Sequence, residues 1–305
     1  MTEYTCDVLV IGGGGAALRS ALAALEEEPS ARVILATKGA LGKSGVTATA
    51  CSDRMAFHAT LETTEPGGPE AWLRHADDIY RIGGYVSDEN LARILARNSG
   101  EAFSYLAQRG VPWARRENVP DQFVTDGSAF ARACYTGPYT ANRIEEALVR
   151  AVRETDVTVL ENTTVLELLT GKDGRGICGA AGISGTGTEV LLRTNAVVMA
   201  TGGAGGIFKI NVFPPGMTGD GYAMAYRAGA ELVNMEFIQI GLSSVATKLA
   251  CSGSMMRALP RVVNENDEEI LPRYVPADMN AARIHTVLFQ KGASWPVSYL
   301  SLIHI

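Results

Sequence analysis

The stretch DVLVIGGGGAALRSALAAL, residues 7–25, sets four consecutive glycines between an apolar run and a run rich in alanine and leucine. The first run has the length and unbroken apolarity of a buried strand, predicted over residues 6–11. In the second, Leu18, Leu22 and Leu25 recur at helical spacing, which predicts a helix over residues 14–27. Between them, Gly12, Gly14 and Ala17 form a GxGxxA turn, with Gly13, Gly15 and Ala16 filling the rest of the small-residue stretch. A diphosphate can reach the backbone amides at the positive end of a helix only where no Cβ stands in the way. A second strand over residues 32–36 follows after a short loop, so the start of the chain is a βαβ unit of the dinucleotide-binding kind.

Working outward, the next stretch, VILATKGALGKSG at residues 33–45, departs from that pattern. A dinucleotide-binding βαβ unit usually ends its second strand in Asp or Glu, whose carboxylate accepts hydrogen bonds from an adenosine ribose. Here Thr37 and Lys38 stand there instead. These residues alone leave open a phosphorylated cofactor, a different cofactor or none.

Two later segments bear on the question. AVVMATGGAGG, residues 196–206, reads as a buried strand ending in Ala200, Thr201, Gly202 and Gly203. If it returns to the first sheet, its carboxyl end carries the Thr201 hydroxyl to the bound nucleotide. In MTGDGYAMAYRAGAELVNMEF, residues 217–237, Asp220 opens a helix. Its carboxylate can cap that helix, worth about 1 kcal/mol, or hold cofactor hydroxyls, and the spacing does not choose.

Composition removes other classes of function. The chain has 305 residues, 47% of them hydrophobic and 20% charged, as expected for a globular protein of one or two domains. A net charge of -6 and the lack of a dense basic tract give no reason to expect nucleic acid. No window supplies the roughly 20 apolar residues of a spanning helix, and the start has no signal-like pattern. Direct membrane insertion is therefore not expected, and a cytoplasmic location is. Cys6, Cys51, Cys134, Cys178 and Cys251 are scattered without a CxxC, which predicts buried reduced thiols and no metal site.

Residues 70–110 carry Trp72, His75, Ile79, Ile82, Leu91, Ile94, Leu95, Phe103 and Leu106 at helical spacings, and residues 140–154 form another amphipathic pattern. Strand-like segments follow at 157–170, 177–183 and 189–203, separated by the KDGRG turn. The expected class is α/β.

The glycine turn, LATKGALGKSG, ATGGAGG and TGDGYAMAYRAGAELVNMEF, in this order, resemble the FAD-binding flavoprotein subunits of the succinate dehydrogenase, fumarate reductase and L-aspartate oxidase family. The resemblance covers most of residues 5–240. It implies a Rossmann-like FAD-binding domain over residues 1–250, with a helical insertion at about 65–130, followed by the beginning of an α+β capping domain at 251–292. It also resolves the question posed by Lys38: family members commonly end this strand in Ser-Lys or Thr-Lys, with the following loop wrapped around FAD. By the same resemblance Gly12 to Ala17, Lys38, Ser44, Gly45 and Asp220 are cofactor contacts, and a peptide group near Val165 meets the adenine.

Departures from the family pattern shape the functional expectation. Gly45 stands where succinate dehydrogenases carry the histidine bonded to FAD, so non-covalent FAD is implied. Gly241, in FIQIGLSS, stands where a dicarboxylate-binding histidine is expected. RVVNENDEEILPRYVP, residues 261–276, resembles the start of the cap, and Arg283 lies near the family's proton-donating arginine. Arginine is a weak acid in isolation, so that role requires a proton relay and fixed geometry.

The implied activity is hydride transfer between flavin N5 and a C=C or CH–CH bond of a small carboxylate-like substrate, with an iron-sulfur or other electron-transfer partner. L-aspartate-oxidase-like and adenylylsulfate-reductase-like flavoproteins are alternatives. Family members continue beyond this point, and WPVSYLSLIHI resembles nothing in them. A truncated chain with a non-family tail at 293–305 is therefore expected, and a fragment that binds FAD weakly or not at all is the non-enzymatic alternative.

Overall fold

The computed structural model describes residues 1–52, 55–125, 128–171, 174, 176–238, 243–244, 246–247, 261–270, 278–280 and 283. Gly241, Cys251 and the tail at 293–305 lie outside the described residues, as does most of the segment expected to begin the cap.

The chain opens with β1 (Thr2–Thr5), β2 (Val8–Ile11), α1 (Gly15–Glu27), β3 (Val33–Ala36) and the one-turn α2 (Val46–Thr49). After β4 (Phe57–His58) come two longer helices, α3 (Ala71–Ile82) and α4 (Glu89–Gln108). Short strands follow: β5 (Arg115–Arg116), β6 (Val119–Pro120), β7 (Gln122–Phe123) and β8 (Ala133–Cys134). Then come α5 (Thr140–Arg153), β9 (Thr158–Leu160), β10 (Thr163–Thr170), β11 (Ile177–Ser184), β12 (Glu189–Arg193), β13 (Val197–Met199) and α6 (Asp220–Arg227). No helix among the described residues is long and apolar enough to cross a membrane.

These elements fall into two compact units. The first comprises residues 1–50, 109–111 and 141–235. Its central sheet has the order β13-β2-β3-β9, and every pairing in it is parallel. Buried on both faces, β2 and β3 read as unbroken apolar runs, the pattern parallel sheets require. Helix α1 covers one face through Ala17, Leu18, Ala21 and Leu22. Its alanines favour the helix, and it ends at Glu28, where Pro29 disfavours helical backbone in the residue before it.

The second sheet of this unit runs β1-β12-β11-β10. Its strands β10, β11 and β12 lie in segments that read as strand-like in the sequence; β1, which does not, pairs in parallel with β12, Thr2 opposite Val190. The two sheets share a core of Leu9, Ile11, Ile34 and Ala36 with Val165, Ala180, Val190, Leu192 and Met224. An irregularity in β11 also corrects one expectation. Cys178 is exposed and Cys51 half-buried, while Cys6 and Cys134 are buried. The pairing of β10 with β11 shifts register here, Leu169 lying opposite Gly179 and Thr170 opposite Ile177, so Cys178 is passed over and does not share the core face of Ala180. Burial pushes the Cys134 thiol up to about 12, which leaves it an inert apolar group.

The second unit, residues 51–108, 112–140 and 236–305, holds α3 and α4 with the short antiparallel sheets β4-β8-β7 and β5-β6. Trp113 stacks on Phe103 with ring centroids 4.8 Å apart and tilts against Phe57 at 5.8 Å. Beside this aromatic core, Arg132 and Asp78 form an ion pair at 2.6 Å with side chains only 3% and 11% exposed. Leu91, Ile94 and Leu95, part of the helical signal in the sequence, are exposed on α4.

Candidate cofactor site

The carboxyl ends of β3, β2 and β13 meet at the glycine turn. The Gly12 N–H donates to Ala36 O at 2.9 Å, and the Ala200 N–H donates to Ile11 O at 2.8 Å. Strand β2 has β3 on one side and β13 on the other, so the turn lies at the reversal of strand order where open α/β sheets bind ligands. Gly12 is held at φ 134°, and a Cβ on it would run into the Ala200 carbonyl. A Cβ on Gly13 would strike the buried Thr37 side chain. Two of the four glycines are thus demanded by the protein's own backbone and side chains, in addition to any ligand.

Helix α1 starts at this turn with Gly14 as its N-cap. It has no side-chain cap and no acidic residue in its first turn. The amides of Gly13, Gly14, Ala16 and Ala17 make no backbone hydrogen bond among the described residues. A helix N-terminus left this way presents donors and positive potential to an anion. A bare glycine cradle with uncapped amides is the donor set a diphosphate needs, so the residues present fit FAD.

The other predicted contacts are placed as follows. Thr37, where an acidic residue was looked for, is buried, with its N–H on Leu160 O at 2.9 Å and its carbonyl accepting from Thr163 N–H at 2.8 Å. Lys38 and Asp220, predicted separately, are brought together. The Lys38 ammonium donates to Asp220 Oδ2 at 2.6 Å and to Thr218 Oγ1 at 2.8 Å. Hydrogen bonds from Lys38 and from the Thr218 hydroxyl hold the Asp220 carboxyl below the usual carboxylate range, although partial burial opposes this. Asp220 is the first residue of α6 and not its cap; Gly219 takes that position in a left-handed conformation.

Thr201 lies against the start of α6, where a Cβ on Gly221 would meet its hydroxyl, and Gly202 packs on Met217. Ser44 turns its hydroxyl back to Ala40 O at 2.8 Å, and Gly45, at φ 88°, caps α2. Val165 is buried in β10 opposite Gly182, just before a register shift. The Arg227 guanidinium reaches the next carbonyl, Leu166 O, at 2.8 Å and so ties α6 to β10. Arg283 belongs to the second unit. It is exposed, with its N–H on Asn280 O at 3.0 Å.

Two residues near the turn escaped the sequence reading. Thr47, in α2, accepts a hydrogen bond from the Gly15 N–H at 3.2 Å. Asn142, in α5, donates its side-chain amide to Ala48 O and so anchors α2. One turn further along α5, Glu145 is 1% exposed, and neither carboxylate oxygen has a hydrogen-bond partner among the described residues. Burial pushes its carboxyl up to about 7. A signal for it was available, because Glu145 is in helical phase with the buried Leu148, Val149 and Val152.

Comparison with known proteins agrees with this geometry. The chain is 30% identical, over 99% of its length and 56% of the relative's, to one subunit of the fumarate reductase (CoM/CoB) of Methanothermobacter marburgensis. It is 33% identical to the L-aspartate oxidase of Streptomyces coelicolor, over 76% of this chain and 39% of that protein. A quinol-fumarate reductase solved with menaquinol molecules superposes with a TM-score of 0.81 at 23% identity, covering all of this chain and 52% of that one, which shows the shared fold. The chain thus spans about half or less of the length of these proteins. Residues 7–260 match the FAD binding domain family. With the βαβ cradle and the flavoprotein relatives pointing the same way, the chain belongs to that family.

Proposed function

We propose that the protein is an FAD-dependent oxidoreductase of the fumarate reductase and succinate dehydrogenase type, acting on the C=C or CH–CH pair of a small carboxylate-bearing substrate. The observation that carries this reading is the uncapped, acid-free N-terminus of α1 set in the glycine turn at the sheet's switch point. Bound FAD supplies a two-electron hydride donor or acceptor at N5. The amides of Gly13, Gly14, Ala16 and Ala17 hold the diphosphate, the Thr201 hydroxyl stands at the strand end beside it, and the Asp220 carboxylate, kept ionised by Lys38, accepts hydrogen bonds from cofactor hydroxyls.

Gly45 has no side chain to bond to the flavin, so the cofactor is held non-covalently. Reduction of a C=C bond needs a proton at the carbon next to the one that receives hydride, and Arg283 is the proposed donor. An electron carrier, such as an iron-sulfur protein, completes the turnover.

The test is direct. Purified chain is mixed with FAD, passed through gel filtration and examined for flavin absorbance. It is then photoreduced without oxygen and exposed to a panel of enoates that includes fumarate. Reoxidation by one of them is the expected result. Flavin that stays bound but is not reoxidised by any enoate sinks the substrate class, and bleaching of oxidised flavin by L-aspartate moves the assignment to an amino-acid oxidase. Absence of flavin after gel filtration sinks the cofactor reading itself.

A further inference from the structure

Thr47 has hydrogen-bonding capacity that the fold does not use. A threonine hydroxyl offers one donor and two acceptor positions. One acceptor position is taken by the Gly15 N–H at 3.2 Å. The proton has no acceptor among the described residues. The contrast lies two residues away on the same short helix, where Thr49 donates its hydroxyl to Gly45 O at 2.8 Å, the usual back-bond of a helical threonine. Thr47 is therefore fixed on the glycine turn by an incoming bond while its own donor stays free.

The second observation concerns the amides. Among the described residues, Gly15 is the only one of those opening α1 whose amide is satisfied by a side chain, and that side chain is Thr47. An anion at this turn cannot take the Gly15 N–H without breaking that bond, but it can take the Thr47 hydroxyl proton without breaking anything. Donation from Gly15 into the oxygen also polarises the O–H and makes it a better donor. The position is rigid because the Asn142 side chain, from α5, holds Ala48 O in the same turn of helix.

We propose that Thr47 is a cofactor-positioning residue that passes the grip of the Gly15 amide to the FAD diphosphate through its hydroxyl. This rests on the FAD reading above, and the experiment separates the two. Thr47→Val keeps the shape and removes the hydroxyl, Thr47→Ser restores it, and Thr47→Ala is a second deletion should valine disturb packing. Dissociation constants for FAD are measured by flavin fluorescence, and for ADP, which shares the diphosphate but lacks the flavin, by calorimetry. A hydrogen bond to a charged oxygen is worth a factor of about ten or more. Thr47→Val and Thr47→Ala are expected to weaken FAD and ADP by at least about tenfold each, with Thr47→Ser within about threefold of the unsubstituted chain.

Unchanged FAD affinity in both deletions overturns the inference and leaves the FAD reading intact. So does a loss for FAD without a loss for ADP, which puts the hydroxyl on the flavin side. Failure of the unsubstituted chain to bind FAD overturns both together.

Discussion

Removing the ionisable group at Glu145 is expected to change how stability depends on pH. The carboxyl is 1% exposed, and neither oxygen is hydrogen-bonded among the described residues. Burial raises it from 4.5 to about 7, with no charged neighbour contributing. Between those values the folded chain holds a proton that the unfolded chain has released, so stability falls as pH rises through that window. Below about 4.5 the group contributes no pH dependence, and above about 7 the loss is complete. At about 1.36 kcal/mol per pH unit the full loss is about 3 kcal/mol.

Glu145→Gln preserves size and cannot ionise. Urea unfolding followed by far-UV circular dichroism at pH 5, 6, 7 and 8 gives the stability difference between the variant and the unsubstituted chain at each pH. Contributions from other titrating groups cancel where they are distant and independent. The difference is expected to grow in favour of Glu145→Gln by about 2–3 kcal/mol from pH 5 to pH 8, the rest of the full loss falling below pH 5. A difference that stays flat, or shrinks, refutes the claim that this carboxyl is buried without a partner.

Further expectations concern other residues. Asp78→Asn strips the charge partner from the nearly buried Arg132 and should cost about 3–5 kcal/mol in denaturant unfolding; a loss below about 1 kcal/mol means the guanidinium reaches water. Burial and the neighbouring Arg132 hold His75 down to about 4, so its protonation opposes folding as pH falls from 6.5 to about 4. His75→Gln should accordingly flatten the acid limb of the stability profile, and an unchanged limb counts against it. Gly12→Ala forces a Cβ onto the Ala200 carbonyl at φ 134° and should cost about 1–3 kcal/mol and abolish FAD retention on gel filtration. Asp220→Asn breaks an ion pair whose side chains are 42% and 40% exposed, so stability should change by less than about 1 kcal/mol while FAD affinity falls; a large stability loss with FAD affinity intact reverses the assignment.

The parts of the fold visible in the sequence are those whose residues act locally. The apolar runs of β2 and β3, the leucine spacing of α1 and the four glycines each state their structure within a few residues. The element β1 does not: TEYT is polar, mostly exposed and strand-like only because β12 is there to pair with it. The same holds for the two-residue strands β4 to β8, which exist as pairings and not as propensities.

At the site, the types of Lys38 and Asp220 were legible, but their mutual hydrogen bond was not, because it joins residues 182 positions apart. Thr47 looked like any threonine in a VTAT run until the Gly15 amide was seen to end on it. The exposure of Leu91, Ile94 and Leu95 shows the opposite limit: periodicity identified the helix but said nothing about whether that face is covered.

The parallel pairing of β13 with β2 carries a consequence for biosynthesis. Ile11 lies opposite Met199, so the glycine turn acquires one of its walls from a peptide nearly two hundred positions downstream. At about 5–20 residues per second, roughly 10–40 s pass on the ribosome between the emergence of the glycines and of the strand that completes them. Through that interval the first βαβ unit is an apolar ribbon whose two edges stay open until β9 and then β13 emerge to pair with them. Ribosome-arrested chains that stop before Val197 should therefore capture no flavin, while those that expose residues through Arg227 also present β13 and α6.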